Sequence, residues 1–335
     1  MRMAITGASG LVGGNLAALL VGDGHDVTCT KRPGSRVAHL GHLAVRWTDA
    51  ELADVSALAS AFEGAQVVFH CAAAVGIAPT VTKELEETNV VGTRHVIDAV
   101  RRAGVRRLVH CSTTAAVGLS VDGADVDETA RWNFAELGLA DGYAITKRDA
   151  EDVVRGAVRD GLDAVIVNPT YMFGPYDARP SSGKMLIDVV RRQMSGGTPG
   201  VNNFVDVRDV VRGMWAAAEK GRTGERYILG GENWTYFEAF TRIARTAGVR
   251  PPRFVVPWPV AATVGKIGDL GRVMGRDTIV HSLSVKWAYC TRFRFTSRKA
   301  ETELGYRHGP PEEGIRAALE WFRANGMLPP AGGGG

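Results

Sequence analysis

The chain has 335 residues, 45% of them hydrophobic and 23% charged, with a formal charge of +4. That is the composition of a globular protein large enough for a substantial core, either as one domain or as two unequal ones. It excludes a disordered chain, and basic residues come only in short runs such as RRAGVRR, so nucleic acid is not an expected partner.

A strand is expected almost at once, in RMAIT at 2–6, which leaves no room for a leader, and no apolar run is long enough for a membrane span. The expected location is the cytoplasm, with no membrane partner. GLVGGNLAALLVGDG reads as a helix ending in glycine, HDVTCT at 25–30 as a second strand and AQVVFHCAA at 65–73 as a third. A long helix follows over 81–104, a fourth strand over 105–113, a helix over 143–161 and a strand over 162–170. Strands alternating with helices through short links predict an α/β fold, a doubly wound parallel sheet of Rossmann type with ligands at the carboxyl ends of the strands. Of the four cysteines, Cys29, Cys71 and Cys111 fall in apolar runs and read as small buried hydrophobes. No metal-ligating pattern appears among the histidines and cysteines.

The rhythm breaks after residue 170, where proline and glycine gather in NPTYMFGPYDARPSSGK and SGGTPG. Residues 1–170 are therefore expected to form the dinucleotide-binding domain, with segments near 204–232 returning to it, GERYILGGEN among them. Residues 171–203 and 233–330 make a smaller, discontinuous substrate-binding lobe. The glycine-rich end, 331–335, reads as a disordered tail.

ITGASGLVGG holds Gly7, Gly10 and Gly13 between the first strand and first helix. Gly7 makes a tight turn, Gly10 lets backbone approach a pyrophosphate, and Gly13 lets helix and sheet pack closely. The main chain at Ser9, Gly10, Leu11 and Val12 then presents N–H groups to phosphate at a helix N-terminus. An NAD site usually carries a carboxylate at the end of the second strand; this chain has CTKRPGSR. Arg32 is the expected partner of a 2′-phosphate, assisted by Lys31 or Ser35, so NADP(H) is the expected cofactor, with NAD(H) possible.

Tyr143 and Lys147, in YAITK, share a helix face. A ketone reduced by hydride needs a proton as charge develops on its oxygen, and a nearby ammonium favours ionisation of a phenol. The hydroxyls of VHCSTTAAVG, Ser112, Thr113 and Thr114, stand at the end of the fourth strand, where such an oxygen would be held.

These motifs resemble those of the extended short-chain dehydrogenase/reductase (epimerase/dehydratase) superfamily, over nearly the whole chain. TGASGLVG matches the cofactor turn, and ELADVSAL an adenine-contacting segment, here with Glu51 and Leu52. VVFHCAA matches the segment that lines the cofactor, at Cys71, Ala72 and Ala73; TNVVGT matches the helix that puts Asn89 beneath the active site. NPTYMFGP matches the loop beside the nicotinamide, at Asn168, Pro169, Thr170 and Met172. The resemblance implies Tyr143 as general acid/base, Lys147 lowering its pKa and anchoring the ribose, Thr113 or Ser112 holding substrate oxygen, and Asn89 relaying protons. Thr113 falls on the usual position of the catalytic serine; Thr114 reads as structural.

The resemblance also covers epimerases and dehydratases. The acid pair expected of a dehydratase after the catalytic hydroxyl is replaced by Thr114 and Ala115, and the diphosphate-clamping arginine expected of an epimerase by Asn202, followed by Asn203. Val75, Ile77, Trp132, Phe134, Tyr171, Met172 and Phe173 suggest an apolar pocket, with Asn203 also expected at the substrate, so the expected activity is NADPH-dependent reduction of a ketone or aldehyde, or the reverse oxidation of an alcohol. A sugar-nucleotide epimerase and a non-catalytic NADP sensor stay open as alternatives. Family members often dimerise through the 81–104 and 143–161 helices, and a homodimer of that kind is possible here.

Overall fold

The structure, a computed structural model, describes residues 1–76, 78–191, 194–274 and 280–330, with residues 272 and 273 described by backbone alone. The tail expected at 331–335, the side chain of Ile77 and part of the expected substrate loop therefore lie outside the described residues.

The first half alternates as its apolar runs predict. It runs β1 (Arg2–Thr6), α1 (Leu11–Gly22), β2 (Asp26–Lys31), β3 (Arg46–Asp49), α2 (Val55–Phe62) and β4 (Val67–His70). There follow α3 (Lys83–Leu85), a π-helical stretch Glu86–Val91, α4 (Gly92–Arg102), β5 (Arg107–Cys111), α5 (Gly142–Arg159) and β6 (Ala164–Pro169). β3 is absent from the sequence expectation. It is a four-residue edge strand with no buried residue, so it presents no apolar run to read. The helix expected over 81–104 is also not one regular element. Thr82 caps it by accepting from Leu85 N at 3.2 Å, and the π-helical turn widens it before α4.

The second half comprises β7 (Tyr171–Phe173), α6 (Gly183–Val190), β8 (Gly196–Gly197), β9 (Val201–Asp206), α7 (Val207–Lys220), β10 (Arg226–Leu229) and β11 (Glu232–Thr235). It ends with α8 (Tyr236–Ala247), β12 (Phe254–Val255), α9 (Trp258–Val273), α10 (Ser282–Tyr289), α11 (Arg298–Leu304) and α12 (Pro311–Ala324).

Seven strands form one parallel sheet in the order β10-β6-β5-β4-β1-β2-β3. The order reverses between β1 and β4, so a crevice opens above their carboxyl ends, as in other doubly wound sheets. One face of the sheet buries Ile5, Phe69 and Val109 with α1 and α7; the other buries Val68, Leu108 and Ile166 with α2, α4 and α5. β7, β9 and β11 make a separate three-stranded sheet, around which α6, α8 and α12 enclose Phe173, Leu186, Phe204, Phe240 and Phe322.

Not all of 233–330 belongs to that second core. Ala300, Leu304 and Tyr306, on and just after α11, pack into the core of the large sheet. Tyr306 is fastened there by donating to Gly230 O at 2.9 Å.

Candidate active site

The glycine turn sits at the reversal point of the sheet. Gly7 has φ +73, and a Cβ there would lie 2.5 Å from Ala72 N. One on Gly13 would lie 2.5 Å from Gly7 O, whereas one on Gly10 would make only an ordinary contact, 3.5 Å from Gly7 O. Two glycines thus let β1, α1 and the end of β4 close on one another, and the third leaves main chain approachable. No side chain caps the N-terminus of α1. An uncapped helix end over a backbone cradle suits a dinucleotide's phosphates. Around it Ser9, Val12, Cys71, Ala72 and Ala73 are half-buried and Leu11 is buried. Asn15 ties α1 to the loop after β7, donating to Pro175 O at 2.7 Å.

At the end of β2 the three residues expected to hold a 2′-phosphate separate. Lys31 is committed to an ion pair with Asp49, on the unforeseen β3. Arg32 is exposed and forms no ion pair among the described residues, and Ser35 closes the turn by donating from its N–H to Arg32 O at 3.0 Å. Beside them a shallow depression of 550 Å³ is lined by Pro33, Asp49, Ala50, Glu51 and the first turn of α2. Glu51 is exposed at its rim, while Leu52 turns inward against Gly92.

Tyr143 lies on the first turn of α5. Asp141 caps that helix, accepting from Ala144 N at 2.7 Å. Burial pushes the Tyr143 phenol above its ordinary value, and the neighbouring Thr113 hydroxyl pulls the other way. Lys147 makes no hydrogen bond to that phenol among the described residues. Its buried Nζ donates instead to the carbonyl oxygen of Cys111 at 2.9 Å, and burial lowers its own pKa.

The two candidate hydroxyls differ. Thr113 is half-buried, extended, and faces Tyr143. Ser112 is buried, and its Oγ has no hydrogen-bond partner among the described residues. Thr114 is buried in the short turn that follows.

Asn89, carried on the π-helical turn, clamps the main chain of Ala74. It accepts from Ala74 N at 2.8 Å, donates to Ala74 O at 3.1 Å, and also donates to Thr146 Oγ1 at 3.1 Å. The backbone carbonyl that it holds is that of Ala74, and no hydrogen bond joins its side chain to Lys147 among the described residues. Asn168 is fully buried rather than facing a cofactor. Its Nδ2 donates to Thr113 O at 2.9 Å and to Glu151 Oε1 at 2.5 Å. Sequence reasoning missed Glu151, whose partners Asn168 and Arg226 are distant in the chain. Pro169 and Thr170 are buried at the end of β6 and Met172 is half-buried on β7.

The expected substrate residues divide. Val75 is 65% exposed, and Trp132 and Tyr171 are half-buried. Trp132 stacks on Phe134 at 5.5 Å and lies under the Arg148 guanidinium. Phe134 and Phe173 are core, at 0% and 1% exposure, and cannot touch substrate without repacking. Asn203 is likewise structural: its Nδ2 donates to Gly231 O and Asn233 Oδ1, and its Oδ1 accepts from Gly231 N. Asn202 donates to Tyr236 OH at 3.1 Å. The arginines that might replace a diphosphate clamp are partly engaged: Arg292 on Ser120 O, Arg294 on Asp125.

Residues 3–230 match the family model for the NAD dependent epimerase/dehydratase family. The chain is 35% identical over 332 residues to sterol demethylase protein B of Methylococcus capsulatus, covering 98% of this chain and 100% of that one. It is 31% identical over 330 residues to a putative dihydroflavonol 4-reductase of Synechocystis, covering 97% and 95%. Among solved structures, gox2253 is similar with a TM-score of 0.85 and 32% identity, covering 98% and 99%. A nucleoside-diphosphate-sugar epimerase from Pseudomonas aeruginosa is similar with a TM-score of 0.81 and 25% identity, covering 98% and 99%.

Proposed function

Because the chain belongs to the NAD dependent epimerase/dehydratase family, whose members are NAD(P)-dependent enzymes, we propose that it is an NADPH-dependent reductase of an apolar ketone or aldehyde. The observation that carries this is the meeting of the Tyr143 phenol and the Thr113 hydroxyl beside the half-buried ring of Trp132, which Phe134 backs from the core. Two hydroxyls can hold one carbonyl oxygen, and Arg292 and Arg294, which could clamp a diphosphate, are engaged elsewhere.

When bound, a reduced nicotinamide supplies the hydride. Thr113 and Tyr143 donate to the substrate oxygen as it gains charge, and Tyr143 gives up its proton to the alkoxide. A buried phenol is a poor acid, and the positive charge of Lys147 lowers the cost of leaving it ionised. The Cys111 carbonyl keeps that ammonium near the end of β5. Asn168 fixes Thr113 from behind through its carbonyl oxygen. Arg32 is the group available to a 2′-phosphate, since Lys31 is paired.

The epimerase reading is favoured by one observation, the similarity to the Pseudomonas aeruginosa protein. Purified protein should be titrated with NADPH and NADH and then supplied with a panel of apolar ketones. Tighter NADPH binding and ketone-dependent NADPH oxidation are expected. Protein that retains NAD through purification, with no net turnover of added NADPH, would put the epimerase in its place.

A further inference from the structure

We propose that the α9–α10 hairpin is a docking surface for an anionic lipid bilayer. Helix α9 buries one face and leaves the opposite one bare. Gly265 and Gly268 bring it against α10: a Cβ on Gly265 would lie 3.1 Å from Val285 Cγ2, and one on Gly268 would collide with Val280 O. On the other side Val260, Val264, Ile267, Leu270 and Met274 recur at helical spacing, and Ile267 is 65% and Leu270 59% exposed. Trp258, 48% exposed, stands at the start of the helix with its ring against Tyr289. Single exposed apolar residues are ordinary in a soluble protein; a stripe of four along one helix, extended by Met274 in the turn that follows, is not.

Charge selects the occupant. Residues 249–294 carry eight Lys or Arg and two Asp, which leaves 32 basic and 34 acidic side chains in the rest of the chain. The excess thus lies in this stretch of the sequence, and of its described side chains Arg250, Arg253, Lys266 and Lys286 are exposed, while Arg294 is paired with Asp125. Asp269 is engaged with Ser282. An apolar stripe, a tryptophan and a surround of basic side chains make the pattern of a helix that lies in a lipid–water interface and is drawn to anionic headgroups. A second copy of the chain fits less well, since a two-fold interface would set each basic surround against its own image. No helix among the described residues is long and apolar enough to cross a membrane, so the helix would lie on the bilayer. Hydropathy along the chain registers only crossing segments, which is why the expectation of no membrane partner did not reveal this face.

The hairpin reaches the candidate active site. Trp287 on α10 donates to Leu139 O at 3.1 Å, and its ring lies 5.7 Å from Phe134. A docked hairpin would hold the Trp132 side of the site near the lipid surface. The docking proposal stands without the reductase reading.

The test is sedimentation of the full chain with vesicles of phosphatidylcholine alone and of phosphatidylcholine mixed with phosphatidylglycerol, at low and high salt. Pelleting with the mixed vesicles, weakened by salt, is expected. The I267E/L270E double variant should lose roughly tenfold or more in that binding, while its circular dichroism, thermal melt and NADPH titration stay unchanged. Wild-type protein that does not pellet, or that pellets equally with phosphatidylcholine alone, would overturn the proposal. So would undiminished binding by the variant. Light scattering decides the rival: a concentration-dependent dimer broken by I267E/L270E would make the face a self-interface instead.

Discussion

The ammonium of Lys147 is held 2.9 Å from the carbonyl oxygen of Cys111, two residues before Thr113. One hydrogen bond therefore ties the middle of α5 to the strand end that carries the candidate oxygen-holding hydroxyl. Tyr143, one turn earlier on α5, faces that same hydroxyl. Helix and strand end thus move as one unit, and proton donor, hydroxyl and cation keep their spacing without a ligand to organise them.

Tyr143→Phe removes the proton but keeps the ring. Its turnover should fall by about 10²–10⁴-fold, while NADPH affinity and thermal stability stay close to wild type. Lys147→Met should lose both turnover and cofactor affinity. Steady-state rates beside a fluorescence titration separate the two, and a Tyr143→Phe enzyme of near-normal rate would remove Tyr143 from the chemistry.

The two hydroxyls that follow β5 can be distinguished in the same way. Thr113→Val should reduce kcat/KM by roughly tenfold or more, since a donor to the developing oxyanion is lost. Ser112→Ala should leave the rate unchanged. It removes a buried Oγ that has no partner among the described residues, so chemical denaturation should find it as stable as wild type or slightly more so. The reverse pattern would make Ser112 the working hydroxyl.

Cofactor choice rests on Arg32. Arg32→Ala should weaken NADPH by roughly tenfold and leave NADH unchanged, as loss of a charge-assisted contact to phosphate requires. Lys31→Ala should change the ratio little, because Lys31 is already paired with Asp49. Asp49→Ala, which frees that ammonium, should raise NADPH affinity. Equal loss of both cofactors in Arg32→Ala would show that Arg32 does not read the 2′ position.

What was legible in the chain was what lies close together in it. The glycine turn and the Tyr143/Lys147 pair are contiguous, and each falls at the strand–helix junction or helix face that its spacing implies. β3 was not legible, because a short edge strand with exposed and half-exposed residues has no apolar signature. Missing β3 also hid Asp49, and with it the competing partner of Lys31. Phe134, Phe173 and Asn203 read as pocket residues because aromatic and amide side chains look alike in a core and at a surface. Their burial is set by segments far away, such as Trp287 for Phe134 and Gly231 for Asn203. Glu151 escaped for the same reason: only the fold brings it to Asn168 and Arg226.

Asp141 gives a prediction in pH. It caps α5 from a buried position, and loss of hydration pushes its carboxyl up to about 6 from 3.8, against the hydrogen bonds from Ala144 and Tyr143 N–H. The folded protein therefore holds this proton more tightly than the unfolded chain does. The stability this contributes is complete below about pH 4 and is lost as pH rises to about 6, a change of about 3 kcal/mol at most. Asp141→Asn keeps an equally good cap and has no proton to lose. Urea melts of both proteins should show the variant gaining on wild type between about pH 4 and pH 6, with a constant difference at higher pH. A difference that does not change across that interval would mean that the carboxyl titrates at its ordinary value, and that the cap is better hydrated than its burial implies.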